Sequence, residues 1–435
     1  MKSKTASISL TALAAPSIVL LSLSLGIFLQ MQSLSFVLKG LGFMGFWITF
    51  LLLRGITLPR MLMMVSTIYL LPMEIAFYFS LGMLILVLVA DFRHIHQWKL
   101  QIPYPASFFI LFVFGIIALS NTYVEGAVLY FISSIIVPLL CFVVIGNSRE
   151  DKPALDLWMR LISIAAILVA VFGILIALAN PTERIGSTWS NAMTINGFYI
   201  LSFYFCLALA FKAKLNQNRL LWLLGALIVF LGMLFTYTRM AMLAIVFGLA
   251  LLVFKYRKIR VWGFIAIALI PLVIPSSMMH RGEMVSMMDI SILIRLIAWY
   301  KAIFLIAENP IFGIGFSTWK DIYHSMVPVP NLYAQHAHNV YINLLLEIGV
   351  IGTLAYMVVI FKSMLMYHLK AVKPQNDMVA FCVWTGMLSL LFACLTDIFI
   401  QQYQVSLLFW ITLALMVKES SSSNCRESSV KENIL

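Results

Sequence analysis

Long apolar runs recur along almost the whole chain, and they restrict its fold more than any other feature. Segments such as 158–179 and 261–274 are almost entirely apolar, and 63% of the 435 residues are hydrophobic while only 11% are charged. A helix of roughly 20 apolar residues crosses a bilayer, whereas a transmembrane barrel would alternate apolar and polar residues within each strand. The sequence therefore predicts an all-α, polytopic integral membrane protein.

Basic residues give the predicted topology. The formal net charge is +12, but most of the lysines and arginines fall in short loops between apolar runs, as the positive-inside rule requires. The positions of the basic residues thus predict the orientation of the chain in the membrane, with both termini inside. They do not indicate a nucleic-acid partner. Spans are predicted near 104–120, 127–146, 156–179, 192–211, 220–237, 240–254, 261–278, 345–366, 378–396 and 402–417.

The first hundred residues allow two interpretations. Residues 61–90 could form one long tilted helix or a hairpin broken near Pro72, and the apolar run 8–28 is interpreted as an uncleaved first span. The whole chain is therefore predicted to have about 12 to 14 spans. Its predicted organisation is N-terminal helices (1–103), central helices (104–276), a long outward loop (277–341), three C-terminal spans (342–417) and an inward tail (418–435).

The outward loop is the one long polar stretch, so function is expected there. Ser291 is a suitable N-cap for an amphipathic helix that runs to Ile303 and lies along the outer leaflet. The residues Asn309 and Pro310, followed by glycines, are expected to end this helix.

Arginine dominates the positive charge that remains on the outward side, at Arg184, Arg239, Arg281 and Arg295. A guanidinium group binds phosphate through two parallel hydrogen bonds and stays charged, which suits a lipid-linked phosphate or pyrophosphate. The alternative is that each arginine reaches lipid headgroups or closes a local ion pair. Arg239 lies at the tip between two apolar runs and is therefore expected at the outer membrane boundary.

His338 is the leading catalytic candidate, because it ends the polar stretch beside the next span, where an imidazole could transfer protons. The alternative is a loop histidine bonded to the backbone, and that interpretation applies more strongly to His336 and His324. The histidine spacing does not match a metal motif, so no metal or other cofactor is predicted. Asp397, at the outward end of the penultimate span, could orient His338, pair with an arginine or satisfy a helix end.

Several short motifs follow one another in an order that resembles the bacterial O-antigen ligase and polymerase superfamily. They cover about 180 to 352 of the chain. The motifs are Arg184-Ile185-Gly186 with Asn191, Thr238-Arg239-Met240-Ala241, Arg295 with Trp299, Pro310-Ile311-Phe312-Gly313-Ile314-Gly315, His338-Asn339-Val340-Tyr341 and Glu347-Ile348-Gly349-Val350-Ile351-Gly352.

The resemblance implies a metal-independent, inverting glycosyltransferase of the GT-C-like class in the bacterial inner membrane, with its site facing the periplasm. The donor would be a glycan on undecaprenyl pyrophosphate, and in the ligase branch the acceptor is lipid A-core oligosaccharide. By this resemblance His338 would be the catalytic base, and Arg184, Arg239, Arg295 and Asn339 would bind substrate.

Two other functions remain as alternatives. The same lipid-linked units could be polymerised or transferred to another acceptor such as a protein, but none of the four outward arginines has the glycine eleven positions on that polymerases often carry. A transporter would be expected to show charges near the bilayer midplane and repeated halves, and neither is evident in the sequence. Membrane lipids are the other expected partners, and the sequence predicts no oligomeric state.

Overall fold

The computed structural model describes residues 58–72, 102–148, 154–180, 183–189, 191–273 and 290–432, with single positions at 45 and 76. These parts of the chain are helical and contain no strand, which confirms the all-α fold class. The helices are α1 (Leu58–Thr67), α2 (Pro105–Ser120), α3 (Ala127–Phe131), α4 (Val137–Asn147), α5 (Ala154–Ala179), α6 (Ile195–Lys212), α7 (Asn216–Leu234), α8 (Arg239–Lys255), α9 (Arg260–Val273), α10 (Ile290–Glu308), α11 (Trp319–Met326), α12 (Val340–Tyr367), α13 (Met378–Ala393) and α14 (Tyr403–Glu432).

Short helical turns join several of these helices. They are the 3-10 turns Ile68–Leu70, Ser187–Trp189, Arg257–Ile259, Pro330–Leu332 and Phe399–Gln401, the π-turns Ile132–Ile136 and His368–Val372, and the α-turn Lys373–Gln375. The π-turn at 132–136 joins α3 to α4, so that Ala127–Asn147 is one continuous helix.

Six helices in the described part of the chain are long and apolar enough to cross a membrane, and a bent pair would make a seventh. The bend of 119° separates α8 from the helical stretch that begins at Arg257. This confirms a polytopic membrane protein. The predicted total of about 12 to 14 spans stays a prediction, because most of 1–101 lies outside the described residues, as does most of the predicted helix 61–90.

Helices α10 and α14 extend past the C-terminal ends that the sequence predicts. Helix α10 runs over Ile290–Glu308 and is longer than the predicted 291–303, and it ends before Asn309 and Pro310 as expected. Its buried face consists of small or aliphatic residues, namely Ala298, Ala302 and Leu305, while much of its remaining apolar surface is exposed. Helix α14 continues to Glu432, well past the predicted span end at 417.

Helix α6 lies at the centre of the bundle, where it packs against α5, α7 and α13. Most of its residues are buried, as expected for a helix that is apolar all round. Helix α14 packs against α4 and α12. Interhelical hydrogen bonds add to this packing, for example from Trp158 Nε1 to Thr412 Oγ1 at 3.0 Å.

The segment after α10 docks onto a kink in α12. The kink is at Gly349, whose φ of 67° breaks the helical conformation. The N–H of Ile314 donates to the Leu346 carbonyl at 2.6 Å, and the N–H of Val350 donates to the Pro310 carbonyl at 2.8 Å. A Cβ atom on Gly349 would collide with the Ile311 carbonyl, so the two glycine-rich motifs fit together only without side chains there.

Main-chain hydrogen bonds join helix ends that the sequence predicts to face outward. The N–H of Val340, at the start of α12, donates to the Cys394 carbonyl just after α13, at 3.0 Å. In a second contact, the N–H of Ile185, which lies between α5 and α6, donates to the Phe235 carbonyl after α7, at 3.2 Å. Arg184, His338 and Asp397 lie in the loops at these ends, whereas Arg239 begins α8 and Arg295 lies within α10.

Candidate active site

His338 lies directly before α12, in the left-handed backbone region with φ of 48°. The next residue, Asn339, is the helix N-cap, and its side-chain oxygen accepts the N–H groups of Tyr341 and Ile342 at 2.9 and 3.1 Å. The position of His338 at a helix N-terminus is therefore as the sequence predicts. A non-glycine residue in this conformation is strained and persists only where its surroundings hold it.

The histidine loop, residues 335–339, is held from both sides at Ala337. The indole Nε1 of Trp299 in α10 donates to the Ala337 carbonyl at 2.8 Å. The Ala337 N–H donates to the side-chain oxygen of Asn343 in α12 at 3.4 Å. The peptide groups between the two imidazoles are thus fixed by two different helices.

Three titratable groups meet at this loop. One potential ligand atom from each of His336, His338 and Asp397 lies within 4.8 Å of the other two. Nε2 of His336 is 3.8 Å from Oδ1 of Asp397, and the two imidazole centroids are 4.2 Å apart. The sequence predicts an ordinary loop histidine at position 336, whereas the fold makes His336 the direct neighbour of both other groups.

The two nitrogens of each imidazole have different environments. Nδ1 of His336 accepts the main-chain N–H of His338 at 3.2 Å. Nδ1 of His338 is buried without a hydrogen-bond partner, and no described group bonds its Nε2. His338 is only partly buried, so its Nε2 is the nitrogen available to a substrate.

Asp397 was predicted to orient His338, pair with an arginine or satisfy a helix end. Its Oδ1 accepts the N–H of Ile398 at 2.8 Å and also faces His336. The carboxylate therefore satisfies the turn after α13 and also lies beside both histidines of the loop.

Arg295 binds the same turn from α10. Its Nε donates to the Thr396 carbonyl at 3.1 Å, and its Nη1 donates to the Ser291 carbonyl at 3.0 Å. Thr396 immediately precedes Asp397, so the guanidinium lies beside the carboxylate and the two histidines. Its Nη2 donates to no described residue, which leaves a face of the fork for a ligand.

Arg184 and Arg239 lie together at the turn between α7 and α8. Nε of Arg184 donates to the Thr236 carbonyl at 3.1 Å, and its Nη2 donates to Oγ1 of Thr238 at 3.2 Å. The buried amide of Asn196 also binds Oγ1 of Thr238, at 2.9 Å. Arg239 follows as the first, exposed residue of α8. The fourth predicted arginine, Arg281, lies outside the described residues.

Burial controls the electrostatics of the cluster. It lowers the pKa of His338 to about 4, with further lowering from His336 and Arg295 and an opposing effect from Asp397. It also lowers the pKa of His336 to about 4, again with help from Arg295. Burial raises the pKa of Asp397, against lowering effects from His338, the Ile398 N–H, Arg295 and Arg184. Both imidazoles are therefore neutral at pH 7, because the pKa of each lies below the ordinary histidine value of about 6.5.

Arg184 is among the charges that lower the pKa of Asp397, which places the turn that binds Arg184 near the turn that holds Asp397. Arg184 and Arg239 share the turn at 236–239, and Arg295 shares the turn at 394–397 with the histidine loop. The structure thus brings together residues that lie more than 200 positions apart in sequence.

The three grouped donors are of types that bind metals, since imidazole nitrogen and carboxylate oxygen are both common ligands. The sequence predicts no metal because the local histidine spacing matches no metal motif, and Asp397 joins the group only through the fold. Their proximity is compatible with a metal, but it is also accounted for by the hydrogen bond at His336 Nδ1 and by the contact of His336 with Asp397. The absence of a metal stays a prediction.

Asn339 was predicted to bind substrate by the resemblance. Besides capping α12, its Nδ2 donates to the Leu395 carbonyl at 2.9 Å. Its amide therefore joins the start of α12 to the end of α13, and a contact with substrate stays a prediction.

Residues 224–357 match the family model described as O-antigen ligase. This range contains Arg239, Arg295, His338 and Asn339, while Arg184 and Asp397 lie outside it. No curated protein matches the chain.

Proposed function

We propose that this chain, a member of the O-antigen ligase and polymerase superfamily, is an O-antigen ligase of lipopolysaccharide biosynthesis. It would transfer a glycan from undecaprenyl pyrophosphate to lipid A-core oligosaccharide, at the periplasmic face of the bacterial inner membrane. The observation that carries the proposal is the grouping of a neutral, partly accessible His338 with Arg295 and Asp397 at converging helix ends.

The proposed reaction is a direct displacement at the anomeric carbon. Nε2 of His338 takes the proton of the acceptor hydroxyl, whose oxygen forms the new glycosidic bond. The bond from the anomeric carbon to the pyrophosphate oxygen breaks at the same time, and its electron pair leaves with the pyrophosphate. A single displacement inverts the anomeric configuration.

Guanidinium groups are suited to the leaving group. Negative charge develops on the departing pyrophosphate oxygen, and fixed cations stabilise such charge more effectively where water is excluded. Arg295 is held by two main-chain carbonyls, so little reorganisation is needed when the charge forms. Arg184 and Arg239 would bind the rest of the pyrophosphate from the turn at 236–239.

The lowered pKa of His338 fits a base that must be unprotonated before the substrates bind. An anionic donor placed beside the imidazole would raise this pKa, because a nearby opposite charge favours the protonated form. The base would therefore become stronger only in the loaded site, where its pKa would approach the pH at which it acts. His338, Arg184, Arg239 and Arg295 perform these steps without a metal.

The experiment is transfer by the purified protein in lipid, with an undecaprenyl-pyrophosphate glycan and lipid A-core supplied together. A glycan-bearing lipid A-core product, lost in His338→Ala, is expected. His324→Ala is the matched control, because His324 lies in the same loop region, is exposed and contacts Tyr333 outside the cluster. Longer lipid-linked glycan with unchanged lipid A-core would identify a polymerase, and an active His338→Ala protein would refute the proposed base.

A further inference from the structure

A chain of buried polar side chains runs from Glu347 in α12 to the histidine loop. Nε2 of Gln401 donates to Oε2 of Glu347 at 3.0 Å, and Nδ2 of Asn343 donates to Oε1 of Gln401 at 3.1 Å. Oδ1 of Asn343 then accepts the N–H of Ala337, which lies between His336 and His338. The Glu347, Gln401 and Asn343 residues are exposed by only 5%, 2% and 2%.

The direction of every hydrogen bond in this chain is fixed by chemistry. A main-chain N–H only donates, so Asn343 must present its side-chain oxygen to Ala337 and its amide nitrogen to Gln401. Gln401 must then present its oxygen to Asn343 and its amide nitrogen to Glu347. The main-chain N–H at the loop therefore determines that Glu347 accepts at the other end of the chain.

Glu347 is an unusual residue to bury inside a bundle of apolar helices. Its side chain also accepts the hydroxyl of Tyr130 at 3.3 Å, and its described side-chain partners include no lysine or arginine. Apolar residues would fill the same volume at lower desolvation cost, so a buried polar network of this kind is expected to serve a specific geometry.

We propose that Glu347, Gln401 and Asn343 are positioning residues that set the His336–His338 loop for base catalysis. Both main-chain groups of Ala337 are bonded, one through Asn343 and the other through Trp299. This pair of bonds holds the strained backbone of His338 and so aims its imidazole. The proposal rests on the proposed transfer reaction, but the position of the loop can also be measured without it.

Exchanging the hydrogen-bond donor and acceptor between Glu347 and Gln401 tests this chain of hydrogen bonds. In Gln401→Glu the amide donor to Glu347 is lost and two buried carboxyl groups face each other, so the side chains are displaced and the loop loosens. Because small misplacements of a catalytic group are costly, kcat for transfer is expected to fall on the order of 100-fold, with KM for the donor within about two-fold. The double variant Glu347→Gln with Gln401→Glu restores a donor opposite an acceptor and is expected to recover most of kcat.

The matched control is Gln404→Glu. Gln404 is equally buried but donates to the carbonyls of Ile68 and Leu71, away from the histidine loop. It reports the general cost of a buried glutamine-to-glutamate change. If Gln401→Glu does not yield folded protein, Asn343→Asp is used, because it keeps the acceptor for Ala337 and loses the donor to Gln401.

A second readout needs no substrate. Diethyl pyrocarbonate modifies accessible neutral imidazoles, and its rate at each histidine can be followed by mass spectrometry, with His324 as internal reference. His336 and His338 are expected to react several-fold faster in Gln401→Glu, or in Asn343→Asp, and at the wild-type rate in the double variant and in Gln404→Glu.

The outcomes separate the two proposals. Unchanged kcat and unchanged modification rates in Gln401→Glu, or no recovery in the double variant, would overturn the positioning role. Changed modification rates that the swap restores, in a protein that transfers no glycan, would support the positioning of the loop and refute the proposed function instead.

Discussion

The main-chain N–H of His338 donates to Nδ1 of His336, with the two atoms 3.2 Å apart. Because this nitrogen accepts, a neutral His336 carries its proton on Nε2. That nitrogen faces Oδ1 of Asp397 at 3.8 Å. The tautomer of His336 is therefore assigned by the contact at Nδ1, and the residue lies between Asp397 and the backbone of the proposed base.

Substitutions at His336 should separate its two contacts. His336→Leu removes the acceptor and leaves the His338 N–H unsatisfied, which costs about 1–3 kcal/mol. His336→Asn keeps an acceptor near the position of Nδ1, so we expect it to retain several-fold more activity than His336→Leu, in initial rates of transfer by purified protein. Equal rates for His336→Leu and the wild type would show that the contact has no part in catalysis.

The pH dependence of transfer should reflect the lowered pKa of His338, which burial and neighbouring groups bring to about 4. The neutral imidazole is the active base, so kcat/KM should stay nearly constant from pH 7 down to about pH 5 and fall only as pH decreases through the lowered pKa. Asp397 raises this pKa, and Asp397→Asn should therefore move the acidic limb to lower pH. A limb at pH about 6.5, the ordinary histidine value, would contradict the assignment of a buried base.

The interlock at Gly349 predicts a stability effect. In Gly349→Ala the new methyl group would meet the Ile311 carbonyl, and alanine would also be strained at a φ of 67°. Together these effects should destabilise the protein by roughly 2–5 kcal/mol. Thermal unfolding in detergent measures this, with Gly146→Ala as the control because a Cβ there has no neighbour within 4 Å. An unchanged midpoint for Gly349→Ala would mean that the kink does not need glycine.

The sequence was sufficient for the fold class and for the location of His338. Apolar runs determine helices in a membrane because backbone groups must bond within the segment, and Asn339 after His338 is a strong helix N-cap. The order of the two glycine-rich motifs also pointed to a family, but their mutual contact at Gly349 came only from the structure.

The partners of His338 could not be predicted in the same way. Asp397 is 59 positions from His338, and its approach depends on how α12 and α13 pack, which periodicity does not specify. The roles of Asn343 and Gln401 were missed because isolated amides carry no local signal. His336 was undervalued because its significance arises from Asp397 and from one main-chain hydrogen bond.

Removal of metal ions should leave transfer unaffected. The proposed reaction uses an imidazole base and guanidinium groups, although His336, His338 and Asp397 each place a potential ligand atom within 4.8 Å of the other two. Protein dialysed against EDTA and assayed with EDTA present should keep its initial rate to within about two-fold, a difference of less than about 0.5 kcal/mol. A different outcome would be loss of activity in EDTA that added Zn²⁺ or Mn²⁺ restores in the wild type but not in Asp397→Ala. That result would make the three residues a metal site and replace the proposed mechanism.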